Sequence, residues 1–261
     1  METLQELIRR LRKAGAKSDA TRGCGVHIHI GAKGHTPQSL RNLANIMASH
    51  ESLLASALNL DRSRMSRYCR TVSKDFLVEL NRKKPKTMAA LADTWYGSQN
   101  ADYGRSAHYN ESRYHMLNLH ATFTKGTIEF RLFQFDAPAN GKQNGLHAGQ
   151  LKSYIQLCLA LSQLAKQVKT ASANPQQTEN PKYAIIVIFR FSGALLPNLV
   201  YSGRNSVSFI PCAKAYSLAE VSTPLAPPDT ISVVFSGRYL PKSLTLSPLE
   251  PITATFMSPS L

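Results

Sequence analysis

Long apolar runs are missing from this chain of 261 residues. The longest, Ala184 to Phe189, is far too short to cross a bilayer. Met1-Glu2-Thr3 puts no basic head before an apolar stretch, so no signal-peptide pattern opens the chain. Cysteine is scarce: Cys24, Cys69, Cys158 and Cys212 stand far apart with no CxxC pair. That excludes a zinc ribbon or a disulfide scaffold and makes a reducing cytoplasm the expected location. Acidic residues are also few, 16 Asp+Glu against 31 Lys+Arg, for a net charge of +15. Such a balance attracts polyanions, but the basic residues are scattered. Only Arg82-Lys83-Lys84-Pro85-Lys86 forms a run, and it reads as a solvated loop before a helix. With 43% apolar and 18% charged residues, most of the chain is no disordered polyelectrolyte, and its length suits one domain or one domain plus a tail.

Charge is missing from one end. Residues 1–183 carry 39 of the 47 charged residues and 184–261 only 8. The last 78 residues hold 9 of the 14 prolines and are rich in serine. The division reads as a globular α+β segment, 1–183, followed by a Pro/Ser-rich tail, 184–261, of low order.

Helices announce themselves by caps and stripes. Thr3-x-x-Glu6 has the form of a capping box, with Leu4, Leu7, Ile8 and Leu11 on one face before Gly15. Thr36-Pro37 opens a second helix with Leu40, Leu43, Ile46 and Met47 in a stripe. Thr87 caps a short helix through Leu91 to Trp95. A longer helix follows His147, with Leu151, Tyr154, Ile155, Leu157, Cys158, Leu161 and Leu164 apolar. Trp95-Tyr96 reads as a core or interface anchor.

The chemistry lies on extended segments. Cys24-Gly-Val-His-Ile-His-Ile-Gly31 alternates, with Val26, Ile28 and Ile30 on one face and His27 and His29 on the other. Two such histidines, about 7 Å apart at the backbone, can share a metal or embrace an anion; they can equally be surface groups on an edge strand. Tyr114 to Thr124, Lys125-Gly126, then Thr127 to Phe133 predicts a β-hairpin with Lys-Gly as its two-residue loop. That register sets Phe123, Ala121 and Leu119 opposite Ile128, Phe130 and Leu132 on a dry face. The other face carries Thr122 opposite Glu129 and His120 opposite Arg131, with Asn118 and Phe133 following.

Glu129, Arg131, His120 and Asn118 thus share a face, and His27 and His29 join them if their strand enters the same sheet. A carboxylate, a guanidinium and imidazoles suit a polyphosphate with its divalent cation. The bland alternative is a solvent-facing polar network. Amphipathic helices cover only one sheet face, so the polar face is expected to be open or functional. Arg113-Tyr114 can reach the same face, and the Asn144-Gly-Leu-His147-Ala-Gly149 stretch brings backbone N–H groups to a helix start, or is an ordinary turn with a capping histidine.

Cys24-Gly-Val-His-Ile-His-Ile, Arg41-Asn-Leu-Ala-Asn-Ile-Met, Leu80-Asn-Arg-Lys-Lys-Pro-Lys-Thr, Arg113-Tyr-His-Met-Leu-Asn-Leu-His, Gly126-Thr-Ile-Glu-Phe-Arg-Leu-Phe and Leu146-His-Ala-Gly together resemble the amidoligase family, in order from Met1 to about Tyr183. That family is similar to the glutamine synthetase and γ-glutamylcysteine ligase class of carboxylate–amine ligases. The resemblance implies an antiparallel sheet with a concave polar face that binds ATP, Mg2+ (or Mn2+) and a carboxylate, with helices on the other face. ATP phosphorylates the acid, and an amine, free or on a peptide, attacks the acyl phosphate. It further implies His27 and His29 at the nucleotide–metal site and Glu129 as a magnesium ligand. Arg131 would neutralise the transferring phosphoryl group. Arg113, Asn118, His120 and His147 would be nucleotide or substrate contacts. The chain departs from the family in having no Glu-x-Glu strand before His27 and in turning Ser- and Pro-rich after Tyr183. A copy of such a ligase that is shortened at its front and frame-shifted near its end is therefore expected, with its activity left open.

Two other readings compete. A basic nucleic-acid-binding module draws on the +15 charge, but no strand interleaves aromatic with basic residues. A metal-dependent hydrolase would use His27, His29 and His120 with Glu129 as base.

Overall fold

A computed structural model describes residues 2–16, 18–19, 23–97, 107, 110–135, 146–175, 231–236 and 254–257 of the chain. The architecture is α+β. Strand β1 (Gly25–Gly31) pairs antiparallel with β3 (Thr127–Phe133), which pairs antiparallel with the short β2 (Leu117–Asn118). Of residues 184–261, β4 (Ile231–Ser236) runs antiparallel beside β1, and β5 (Ala254–Met257) runs parallel to β4. The rest of that segment, including the apolar run at Ala184 and Cys212, lies outside the described residues.

Helix α1 (Glu2–Lys13) buries Leu4, Ile8 and Leu11, and Gly15 follows at φ +85°. Thr3 and Glu6 both lie inside it, and the Glu6 carboxylate pairs forward with Arg9 and Arg10 instead of closing a capping box. Helix α2 (Pro37–Ala57) starts as its sequence dictates: the Thr36 hydroxyl accepts from the Ser39 amide, and Ser39 answers to the Thr36 amide. Its stripe of Leu40, Leu43, Ile46 and Met47 is buried. Helices α3 (Arg62–Arg67) and α4 (Lys74–Lys83) are capped by Asp61 and Ser73, and α5 (Met88–Tyr96) by Thr87. The basic run closes α4, with Lys84 left-handed at φ 47° and Arg82 and Lys83 paired with Glu79. The long α7 (Ala148–Gln167) takes His147 as its N-cap, the imidazole accepting from the Gln150 amide at 3.1 Å.

The predicted hairpin does not form. Residues His120–Lys125 make a helical turn, α6, between β2 and β3. Leu119 is already in the right-handed helical region at ψ −12°, and Gly126 ends the turn in the left-handed region at φ 68°. The glycine therefore serves as a helix terminator and not as half of a two-residue loop. Asn118 fixes the switch by accepting the His120 amide on its side-chain oxygen at 2.9 Å. Register moves accordingly: Leu117 pairs with Phe130 and Asn118 with Glu129, where the hairpin would have set Thr122 opposite Glu129.

A second departure lies at the far end of β3. The pairing steps from Val26–Phe133 to Ile28–Phe130, so His27 faces both Arg131 and Leu132 across a β-bulge. The bulge ends the simple alternation. Phe133, expected on the polar face, stacks on Tyr154 of α7 at 4.4 Å between centroids and is fully buried. Apolar side chains of α1, α2, α7, β1 and β3 form one core on this side.

A candidate ligand site on the polar face of the sheet

In a strand, residues two apart share a face, and here that rule gathers four side chains from β1 and β3. His29 is the register partner of Glu129, and Asn118 is its partner on the other flank. Glu129 sits at the centre. One carboxylate oxygen accepts from Arg131 Nη1 at 2.6 Å and lies 3.1 Å from His27 Nδ1 and 3.6 Å from His29 Nε2. The other accepts from the Asn118 amide at 2.5 Å.

The face is polar, but it is not open. His27, His29, Asn118, His120, Glu129 and Arg131 are all buried, Glu129 with 5% and Arg131 with 4% of its surface exposed. The side that helices leave free is closed by the chain around Tyr68 and Tyr114. The Tyr68 carbonyl accepts from Arg131 Nε at 3.4 Å, and the Tyr114 ring lies 5.5 Å from the Arg131 guanidinium. Arg113, on a single 3₁₀ turn, lies 5.3 Å from the same ring.

Protonation follows from these neighbours. Burial pushes the Glu129 carboxyl up, but the His27 hydrogen bond and the Arg131 charge outweigh it and hold it well below the ordinary carboxylate range. Burial, aided by Arg131, lowers the His27 pKa to about 4 against the pull of Glu129, so the ring is neutral at pH 7. A neutral imidazole has one N–H, and the carboxylate is the stronger acceptor; we therefore place the proton on Nδ1. Arg131 Nη1, 3.3 Å from that nitrogen, then shares the carboxylate with it and does not bond to it. His29 is lowered as well, chiefly by burial, and its Nδ1 meets the Thr127 hydroxyl at 2.9 Å.

Of the residues expected to converge, His27, His29, Asn118, Glu129 and Arg131 do so. The His120 amide bonds to Asn118, and its ring turns to Tyr96, with Nδ1 2.6 Å from the phenol oxygen. His147 is occupied in capping α7. Asn144 and Gly145 lie outside the described residues. The metal role expected of Glu129, His27 and His29 meets a carboxylate whose two oxygens already accept from Arg131, His27 and Asn118. Among the described residues no group of three or more His, Cys, Asp or Glu side chains is disposed to hold a metal ion. A hard cation takes several oxygen ligands, and the cluster offers one carboxylate, hydrogen-bonded on both oxygens.

Sequence reasoning missed Arg64. Its side chain is buried against Gly25, on the strand face that His27 shares, and donates to the carbonyls of Phe133 at 2.7 Å and Arg131 at 3.2 Å. It also missed Glu51, a buried carboxyl on α2 that accepts the Val72 amide at 2.8 Å and whose pKa burial raises to about 8. Both sit in short polar stretches without periodicity, where no pattern marks a buried charge.

Among the described residues no helix is long and apolar enough to cross a membrane. A search of curated proteins found no match, and a search of solved structures found none. One family model does match, that described as "putative amidoligase enzyme", over residues 1–162, a span that contains β1, β2, β3 and the whole polar cluster. The chain belongs to the amidoligase family.

Proposed function

We propose that this protein is an ATP-dependent carboxylate–amine ligase whose reaction floor is the polar face of β1 and β3. A carboxylate oxygen attacks the γ-phosphorus of ATP, and ADP leaves. The amine nitrogen then attacks the acyl carbon of the mixed anhydride. Inorganic phosphate departs with its C–O electron pair, the nitrogen loses a proton, and an amide remains. Membership of the family over residues 1–162 supports the reaction class.

One observation carries the assignment of residues: a buried guanidinium, Arg131, shares one oxygen of Glu129 with His27 on the face that the family motifs share. Arg131 meets the transferring phosphoryl oxygens, where an oriented cation in a low-dielectric pocket is worth most. Glu129 orients Arg131 and does not ligate metal. His27 and His29, neutral at pH 7, offer hydrogen bonds to a substrate without competing for the anion. Asn118 holds the second Glu129 oxygen. Magnesium–ATP, or manganese–ATP, is the co-substrate, bringing its phosphate oxygens as ligands. The Tyr114 ring lies in front of Arg131 and has to yield for a ligand to reach it.

The test is ADP release with panels of carboxylates and amines, peptides included. Saturable release that depends on both partners supports the ligase, and absence of ADP formation across the panels removes it.

A further inference from the structure

The glycine in the Cys24-Gly25-Val26-His27 motif has no role in the cluster, yet the structure gives it a reason. A Cβ built on Gly25 would stand 2.4 Å from Arg64 Nη2 and 2.7 Å from its Cζ. The guanidinium thus lies flat against the Gly25 backbone. It cannot swing aside cheaply, because Nη1 donates to Phe133 O and Nη2 to Arg131 O and the residue is 3% exposed. Those carbonyls stand on either side of Leu132, across the bulge opposite His27. No carboxylate pairs with Arg64 within salt-bridge distance among the described residues, so its charge is spent on backbone carbonyls. Such a buried cation is costly and is kept where its geometry is needed.

We propose that Arg64 is a positioning residue: seated on Gly25, it pins the β3 bulge and so aims the Arg131 guanidinium at Glu129 and His27. A bulge re-aims side chains, and one held by a guanidinium bonded to two of its carbonyls re-aims them to one place. The role of Arg131 in turnover rests on the ligase reading; the aiming of Arg131 does not.

The measurement is the Arg131 Nε–H resonance in the full chain, assigned by its disappearance in Arg131→Lys. Arg64→Met is expected to move or broaden it, and Gly25→Ala to do the same by displacing the guanidinium. In the Arg64→Met background, Gly25→Ala meets vacated space and adds no further change. Arg64→Lys, which keeps one donor, restores part of the signal. If the ligase reading holds, Arg64→Met also lowers kcat/KM for ATP on the order of 100-fold, as for a misplaced catalytic group. An Arg131 resonance unmoved in Arg64→Met that keeps its fold, or effects of the two substitutions that simply add, overturns the proposal. Absence of ADP release in the unaltered protein would defeat only the ligase, since the resonance is read without turnover.

Discussion

Glu129 and Arg131, two residues apart on β3, form a 2.6 Å ion pair with both side chains buried. Removing one member of such a pair strands the other. Glu129→Ala is expected to cost about 3–5 kcal/mol in denaturant unfolding. The double variant Glu129→Leu/Arg131→Met leaves no orphan charge and should recover most of that loss. A single variant that unfolds no more easily than the parent would show that the pair is solvated.

Stability should peak slightly on the acid side of neutral. His27 and His35 have folded pKa values lowered to about 4, both mainly by burial, from an unfolded value of 6.5. Their contribution is complete above the unfolded pKa and is lost as pH falls through the folded one, on the order of 3 kcal/mol for His27. Glu129, lowered well below 4.5, loses its share in the same direction at still lower pH. Glu51 acts oppositely. Its folded pKa is raised to about 8 by burial, so its contribution is full below 4.5 and declines as pH rises toward 8. Thermal melting across pH 4 to 9 checks this, and Glu51→Gln, which can still accept the Val72 amide, is expected to flatten the alkaline side and to steepen the rise above pH 4.5.

Asn118→Asp distinguishes the observed register from a hairpin. With Asn118 beside Glu129, the change sets two carboxylates together and should destabilise on the order of 3 kcal/mol at pH 7. Acid should recover much of it, as one carboxyl takes a proton. In the hairpin register Asn118 would lie opposite Phe133, away from Glu129, and the substitution would be mild at every pH. Chemical denaturation at pH 7 and pH 4 separates the two outcomes.

What could be read from the sequence was the part written in local periods. The helices at Pro37, Met88 and Ala148 follow from Thr36-Pro37, Thr87 and the apolar face after His147, where cap and stripe agree. The polar face followed from alternation of His27 with Ile28 and of Glu129 with Phe130. Illegible features depended on exceptions to those periods. Leu119 to Lys125 alternates acceptably as a strand, and its turn is decided by the Asn118 side chain bonding to the His120 amide. The bulge at His27 depends on Arg64, distant in sequence, and Arg131 is covered by the Tyr68 carbonyl and the Tyr114 ring, which no local period announces. The metal expectation counted residue types, and residue types do not reveal that both Glu129 oxygens accept hydrogen bonds within the cluster.

Calorimetric titration of magnesium–ATP into the full chain and into Glu129→Leu/Arg131→Met tests the central claim most directly. The account predicts saturable binding in the parent, its loss in the folded double variant, and its retention in His147→Ala. Equal binding by the parent and the double variant would contradict it.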